Sequence, residues 1–129
     1  MPAPIVIDTS AIQDRDFRDW LYHYRGRKVL PMVGFVEFSV FLRSHGRSHA
    51  DIMKLFKRFG IEIEPFGQKQ ANVSVETAVA ARDFKKNWRD HMIAGHAHTA
   101  PLRLITYNES DFLFLGSRVM NPQAAMREL

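Results

Sequence analysis

Ile5-Val6-Ile7-Asp8 decides the fold class, because three apolar β-branched residues are followed at once by an acid. A run that is apolar at every position is typical of a strand buried on both faces, as in a parallel sheet. The next segment, Asp14–Tyr24, places aromatic and aliphatic side chains at helical spacing, and Gly26 ends it. The chain is therefore predicted to open with a buried strand and then a helix.

The same alternation continues to the end of the chain. Strands are predicted at Lys28–Val33, Ile61–Glu64, Leu102–Thr106 and Arg118–Met120. Longer helices are predicted at Gly34–Arg43, His49–Phe59, Gln68–Lys86 and Trp88–Thr99, with Ser48 and Asn87 as N-caps and Pro101 as a stop. Shorter helical segments are predicted at Glu109–Leu115 and after Asn121-Pro122. This order predicts an α/β fold with an open parallel sheet, helices on both faces and a ligand site beyond the carboxyl ends of the strands.

Two of these helices carry a clear apolar face. In Gly34–Arg43 the residues Phe35, Phe38 and Leu42 form one stripe. In Gln68–Lys86 we expect the buried side to include Val75, Ala78, Val79 and Phe84. Both helices are therefore predicted to bury one side.

Length and composition exclude several classes of protein. The 129 residues predict a single domain spanning 1–129, and 46% hydrophobic with 25% charged residues is ordinary for a globular chain. The absence of cysteine excludes disulfides, zinc–thiolate sites, iron–sulfur clusters and cysteine nucleophiles. The longest uncharged run, His91–Leu102, has 12 residues, too few for a membrane span, and the N-terminus lacks the basic region of a signal peptide. We expect a cytoplasmic protein without a membrane segment.

Acidic residues recur near one predicted edge of the sheet. Asp8 ends the first strand, Asp90 lies at the start of a helix, and Asn108 and Asp111 follow the strand that ends at Thr106. Taken singly, each is also typical of a helix cap, a first-turn acid or a turn. Because the carboxyl ends of parallel strands meet at one edge, the coincidence predicts a shared crevice.

Glu37 stands apart because it interrupts an apolar helix. Its neighbours three and four positions away are Val33, Gly34, Val40 and Phe41, and none of these can form an ion pair with it. A carboxylate without a partner in an apolar setting finds a cation, protonates or reaches water at the rim of the helix. Clustered carboxylates without cysteine favour a hard divalent cation such as Mg²⁺, which suits phosphodiester hydrolysis.

Five segments in order resemble the PIN-domain nucleases. Ile5-Val6-Ile7-Asp8-Thr9-Ser10 is similar to the opening strand of that family, and Glu37 matches its second acid. Asp90-His91-Met92-Ile93-Ala94-Gly95-His96-Ala97 resembles its Asp-x-x-Ile-Ala-x-x-Ala motif. Leu104–Phe112 resembles its Leu-Val-Thr-x-Asn/Asp-x-x-Asp-Phe motif, and Val119-Met120-Asn121-Pro122 its closing strand. Order, spacing and length are most similar to the small VapC-type toxins of toxin–antitoxin pairs.

The resemblance implies a Rossmann-like, five-stranded parallel sheet and an endoribonuclease dependent on Mg²⁺ or Mn²⁺. It implies Asp8, Glu37 and Asp90 as metal ligands and catalytic acids, with Asp111 as the fourth acid. Asn108 stands where many members have Asp, so it is a candidate neutral ligand. Supporting roles at the metal site are implied for Thr9, Ser10 and Thr106. A protein antitoxin and a homodimer are implied as well.

The basic residues are candidates for holding the RNA. The chain has 18 Lys and Arg against 14 Asp and Glu, a net charge of +4 and a pI of about 9.7, which favours a polyanionic partner. The candidates are Arg43, Arg47, Arg82, Lys85, Lys86 and Arg89. Each could equally lie on a solvated helix face.

Two other functions stay open at this point. A PIN-like module that binds RNA or protein with little catalysis is compatible with the Asn at position 108. A receiver-like signalling domain also gathers acids at strand ends, but it needs an acceptor Asp after a middle strand, and the third strand here ends in Glu64-Pro65. The sequence therefore favours a metal-dependent ribonuclease.

Overall fold

The computed structural model of the protein describes residues 2–98 and 102–129. Within them the chain alternates strands and helices, as predicted. The strands are β1 (Ile5–Ile7), β2 (Lys28–Pro31), β3 (Ile61–Glu64), β4 (Arg103–Ile105) and β5 (Val119–Met120). The α-helices are α1 (Thr9–Ile12), α2 (Arg15–His23), α3 (Met32–Ser44), α4 (His49–Phe59), α5 (Gln68–Ala81), α6 (Phe84–His98) and α7 (Pro122–Glu128), and a 3₁₀ segment spans Glu109–Arg118.

All five strands are parallel and lie in the order β3-β2-β1-β4-β5. The register pairs Ile5 with both Lys28 of β2 and Arg103 of β4, so β1 occupies the centre. After β1 the chain adds β2 and then β3 on one side of it, and it then crosses to add β4 and β5 on the other side. The direction of building reverses between β1 and β4, which is where an open α/β sheet leaves a crevice for ligands. The predicted α/β fold is confirmed.

The strands β1 and β2 are buried on both faces, and successive side chains of β1 enter two separate cores. Ile5 and Ile7 lie in a cluster with residues of α1, α2, α3, α4 and α7, while Val6 between them points into a second cluster. That second cluster contains Ile93, Ala94 and Ala97 of α6 and residues of the 3₁₀ segment. The fully apolar strand that predicted a sheet covered on both sides is therefore packed in that way.

Local hydrogen bonds set where the helices begin and end. Ser48 caps α4 in a reciprocal box with Asp51, and Gly60 ends it in the left-handed conformation at φ 68°. Asn121 caps α7, whose first residue is Pro122. These short signals explain why α4 and β3 were predicted with the bounds that the structure shows.

The prediction of one helix over Gln68–Lys86 was wrong. Arg82 adopts a left-handed conformation at φ 57° and ends α5, and α6 begins at Phe84. Asn87 does not cap a helix from Trp88. It lies inside α6, at a kink. Its Nδ2 donates to Oδ2 of Asp83 at 2.6 Å, and its N–H donates to the carbonyl of Asp83. The helix has therefore begun before Asn87. The predicted end of this helix, Thr99 before Pro101, lies outside the described residues.

The prediction that Val75, Val79 and Phe84 are buried was also wrong: 59%, 69% and 54% of these side chains are exposed, and only Ala78 of that set is buried. For Val75 and Val79 the reason is that α5 packs mainly on α6, whereas Phe84 lies outside α5, at the exposed start of α6. The Oγ of Ser74 on α5 donates to the carbonyl of His91 on α6 at 2.7 Å. With α6 between it and the sheet, α5 buries only the side that faces α6. No helix in the described part of the chain has the length and apolar composition of a membrane span.

Candidate active site

Asp8 lies at the carboxyl end of the central strand, beside the crevice between β1 and β4. Its Oδ1 accepts from the Thr9 N–H at 2.9 Å, so it caps α1, as an acid after a strand often does. Its Oδ2 accepts from the hydroxyls of Ser10 at 2.9 Å and Thr106 at 2.7 Å. Only 1% of the residue is exposed. The same residue is therefore both the cap of α1 and the acid at the crevice, and the hydrogen bonds from Thr9, Ser10 and Thr106 fix its carboxylate in place.

Glu37 obtains its partner from a distant part of the chain. Its Oε2 accepts from Nε of Arg89 at 2.6 Å, although the two residues are 52 positions apart. Its other oxygen, Oε1, is buried and has no hydrogen-bond partner among the described residues. Glu37 has no ion-pairing neighbour on its own helix, and Arg89 supplies a partner for only one of its two carboxylate oxygens.

Arg89 gathers the three acids that the sequence proposed. While Nε binds Glu37, Nη1 donates to Oδ1 of Asp90 at 3.0 Å and Nη2 donates to Oδ1 of Asp8 at 2.9 Å. Nη2 also lies 3.3 Å from Oγ1 of Thr9. The structure therefore brings together acids from the end of β1, from α3 and from α6 around a single guanidinium.

The electrostatic environment shifts the pKa of two of these groups. Burial raises the pKa of Asp90, the charges of Asp111 and Asp8 raise it further, and Arg89 opposes the shift. For Arg89 burial acts to lower the pKa, but the hydrogen bond to Glu37 and the charges of Asp8 and Glu37 outweigh it, so its pKa is raised. Asp90 therefore accepts a proton more readily than an ordinary aspartate, whereas Arg89 stays charged.

The fourth acid lies at the margin of this cluster. Asp111 is exposed in the 3₁₀ segment, and its N–H donates to the carbonyl of Asn108 at 3.0 Å, as expected for a turn. The N–H of Asn108 in turn donates to Oγ1 of Thr106 at 3.0 Å. Asp111 is close enough for its charge to act on Asp90. Within residues 2–98 and 102–129, no group of three His, Asp or Glu side chains is arranged to hold a metal ion.

The six basic candidates separate into two groups. Arg43 and Arg47 lie at the end of α3 and in the following turn, and Arg82, Lys85 and Lys86 lie where α5 passes into α6, all five exposed. Arg89 is instead 28% exposed and bound to the acids. Sequence reasoning included Arg89 among RNA contacts and missed its bonds to the acids. The signal that could have found it was Glu37, which required a cation from outside its own helix.

A second concave region lies away from the acids, between α3 and α4. Apolar and polar side chains line it together. The apolar lining consists of Phe38, Phe41, Leu42, Ile52 and Leu55. The polar lining consists of Gln13, Arg18, Arg47 and Asp51.

Comparison with known proteins shows the fold. The chain matches no family model and no curated protein sequence. Among solved structures it is similar to a chain of a toxin–antitoxin complex from Klebsiella pneumoniae, with TM-score 0.70 and 20% identity over 92% of this chain and 97% of that chain. It is similar to DNA-bound VapBC from Salmonella typhimurium, with TM-score 0.65 and 18% identity over 94% and 99% of the two chains. VapBC-1 from nontypeable Haemophilus influenzae gives TM-score 0.66 and 16% identity over 93% and 98%. The fold is therefore the PIN-type α/β fold of VapC chains.

Proposed function

We propose that this chain, which has the fold of VapC chains, is an endoribonuclease dependent on Mg²⁺ or Mn²⁺ and the toxin of a toxin–antitoxin pair. One observation carries the proposal: Asp8, Glu37 and Asp90 converge at the point where the sheet reverses its building order. Three carboxylates are costly to hold together unless cations join them. Such an arrangement in a ligand crevice is characteristic of a functional site.

The chemistry of the donor set suits a hard divalent cation, although Arg89 lies among the carboxylates and no three acidic or His side chains of the described residues are arranged around one metal position. Carboxylate oxygens are the ligands that Mg²⁺ prefers, and the buried Oε1 of Glu37 lacks a hydrogen-bond donor among the described residues. Arg89 supplies one positive charge against three carboxylates. We propose Asp8, Glu37 and Asp90 as the protein ligands, and either Asp111 or Asn108 as the fourth.

When bound, the cation lowers the pKa of a water molecule and neutralises charge on the phosphate. The chain's own residues hold the geometry for this reaction. Thr9, Ser10 and Thr106 fix the Asp8 carboxylate through its local hydrogen bonds. Asp90 beside the other ligands and Asp111 at the rim are the two candidates to orient the attacking water.

RNA is the substrate that the charge distribution favours. The acids repel phosphate, so basic residues have to hold the polymer. We propose Arg43, Arg47, Arg82, Lys85 and Lys86 for that contact, together with Arg89 beside the acids. Single-stranded RNA in the cytoplasm is the proposed target.

The test is cleavage of single-stranded RNA by the purified chain with Mg²⁺ or Mn²⁺, with EDTA as the metal-free control. Asp8→Asn and Asp90→Asn are expected to lose at least about 100-fold in rate, because each removes a ligand charge. Asp19→Asn, an exposed acid on α2, is the matched control and keeps the wild-type rate. Cleavage by both site variants at the wild-type rate would refute the proposed catalytic site.

The proposed partner is an antitoxin that lays an apolar segment into the groove between α3 and α4. The structural neighbours are toxin–antitoxin complexes, and the groove is lined by apolar side chains together with the charged residues Arg18, Arg47 and Asp51. The test is co-purification of the chain with the product of a small adjacent open reading frame. Leu55→Glu is expected to abolish the complex, whereas Lys54→Glu, exposed on the same helix, is expected to keep it. A homodimer is part of the same proposal, and light scattering of the purified chain tests it.

A second function is favoured by Arg89. A guanidinium that already satisfies three carboxylates could make the chain a PIN-like module that binds RNA or protein without cutting it. The same cleavage assay separates the two functions. RNA binding without cleavage at any Mg²⁺ or Mn²⁺ concentration would support the module over the nuclease.

A further inference from the structure

Arg89 uses all three of its nitrogens on the acidic cluster. Nε, Nη1 and Nη2 each donate to a different carboxylate, those of Glu37, Asp90 and Asp8, at 2.6, 3.0 and 2.9 Å. A lysine ammonium could not make these three contacts, because only the planar guanidinium presents donors in several fixed directions at once. The contacts come from three parts of the chain, so Arg89 also ties those parts together.

Arg89 binds one oxygen of each of the three carboxylates, whereas Oε1 of Glu37 has no hydrogen-bond partner among the described residues. Both oxygens of Asp8 already have donors, because Oδ1 accepts from the Thr9 N–H as well as from Arg89, and Oδ2 accepts from Ser10 and Thr106. A cation that binds Asp8 together with the other two acids would therefore have to share an oxygen with the guanidinium or take it from the guanidinium. Because an arginine stays protonated at any ordinary pH, the side chain cannot lose its charge to make room. It has to move.

We infer that Arg89 is an internal counter-ion that occupies the acidic cluster in the metal-free protein and is displaced from the carboxylates when a divalent cation binds. The inference rests on the metal site proposed above. It assigns to Arg89 the role of a competitor that lowers the affinity for the metal and stabilises the metal-free fold.

The surroundings of Arg89 allow this movement. Its side chain is 28% exposed, so one edge already faces solvent. It follows the kink at Asn87, where the backbone leaves helical geometry at φ −126°. Asp8, in contrast, has a side chain with no exposure and stays fixed by its local donors. Arg89 is therefore the member of the cluster with room to move, whereas Asp8 is enclosed and held by three donors besides Arg89.

The experiment measures metal binding and not activity. Mn²⁺ is titrated into the metal-free wild type, Arg89→Gln, Arg89→Lys and Lys57→Gln by calorimetry. Removing a unit positive charge in contact with the ligands is expected to tighten Mn²⁺ binding by at least about tenfold in Arg89→Gln. Arg89→Lys keeps the positive charge but lacks the several donors of the guanidinium, and its Mn²⁺ affinity is expected to lie between those of the wild type and Arg89→Gln. Lys57→Gln removes the same charge from an exposed position on α4, and its Mn²⁺ affinity is expected to stay within about twofold of the wild type, since solvent screens that charge.

Two further readouts follow the arginine itself. In EDTA, Arg89→Gln is expected to melt at least about 4 °C below the wild type, because three carboxylates lose their counter-ion. Addition of Mn²⁺ is expected to raise the melting temperature of Arg89→Gln by more than that of the wild type. In the wild type, the Nε–H proton of Arg89 is expected to exchange slowly in EDTA and to lose that protection in saturating Mg²⁺. Its NMR signal is assigned by its absence in Arg89→Gln.

The outcomes separate this inference from the proposed function. Equal Mn²⁺ affinity in wild type and Arg89→Gln, or unchanged Nε–H protection in Mg²⁺, would overturn the counter-ion role and leave the metal site standing. Absence of Mn²⁺ binding in all four proteins would overturn both. If Arg89→Gln does not fold in EDTA, Arg89→Lys decides, and affinity equal to that of the wild type would count against the inference.

Discussion

Nη2 of Arg89 donates to Oδ1 of Asp8 at 2.9 Å, across 81 positions of sequence. This bond joins α6 to the end of the central strand. The opposite oxygen of Asp8 accepts from Thr106 after β4, 98 positions away. One carboxylate therefore connects the two sides of the crevice at which the sheet reverses its order. The following predictions test how this connection and its surroundings are held.

Thr106→Val is expected to destabilise the protein by about 1–3 kcal/mol, because the valine has nearly the same shape but cannot donate to the buried Asp8 carboxylate. The hydroxyl of Thr106 also accepts from the Asn108 N–H, which would lose its partner. Urea denaturation measures the change. Thr106→Ser keeps the hydroxyl and should stay closer to the wild type. Equal stability of the two variants would show that the hydroxyl does not support Asp8.

Gly95→Ala is expected to cost about 1–3 kcal/mol, because overpacking forces α5 and α6 apart. A Cβ on Gly95 would lie 2.5 Å from the carbonyl oxygen of Gln70 and 2.6 Å from Oγ of Ser74. Gly67→Ala is the control, since its Cβ would meet only the movable Oε1 of Gln70 at 3.3 Å. Thermal melting compares the two variants. A melting temperature for Gly95→Ala equal to that of Gly67→Ala would contradict the close approach of the helices.

Acidification is expected to destabilise the fold through His96. Burial lowers the pKa of His96 below 6.5, despite the hydrogen bond of Nδ1 with Oε1 of Glu64 at 2.6 Å. The unfolded chain therefore binds this proton more tightly than the folded one. The contribution of His96 is complete above the unfolded value and is lost as the pH falls below about 6.5 towards the folded pKa.

His96→Asn keeps an amide donor near Glu64 but cannot titrate. The loss of unfolding free energy between about pH 7.5 and about pH 5.5 is expected to be smaller in this variant than in the wild type. His23→Asn, exposed on α2, should leave that loss unchanged. Urea denaturation at both pH values provides the comparison, and parallel pH profiles for wild type and His96→Asn would refute the assignment.

Charge reversal at Lys85 and Lys86 is expected to weaken RNA binding and its dependence on salt. Both lie exposed at the start of α6, in the helix that carries Asp90. If each contacts one phosphate of single-stranded RNA, the slope of log K against log salt falls by about 0.7 per residue. The control reverses Lys54 and Lys57, exposed on α4, with the same change in net charge. Identical slopes for the two double variants would remove Lys85 and Lys86 from the RNA contact.

Most of the fold could be predicted because its signals are local. Ser48 and Gly60 delimit α4 through a cap and a left-handed residue, and both act within one helical turn. The alternation in Ile61–Glu64, followed by Pro65, is typical of a strand near the edge of a sheet, and β3 lies at the edge. Such features depend on neighbours in sequence and need no knowledge of the remaining chain.

The helices α5 and α6 show where local reasoning fails. Val75 and Val79 have the spacing of a buried face, yet they face solvent because α6 occupies the position next to the sheet. Asn87 is a residue type that often caps helices, but here its side chain is hydrogen-bonded to Asp83, four residues earlier. Apolar spacing does not state which neighbour covers a helix, and the type of a polar residue does not state which partner its side chain binds.

The sequence alone determined that buried strands alternate with helices, and that Asp8 and Thr106 follow two of those strands. It also determined that Glu37 has no cation within reach on its own helix. Only the tertiary structure decided that the cation is Arg89, placed 52 positions away and shared with Asp8 and Asp90. Strand burial follows from the residues themselves, whereas an ion pair between distant segments requires the sheet to bring their ends together first.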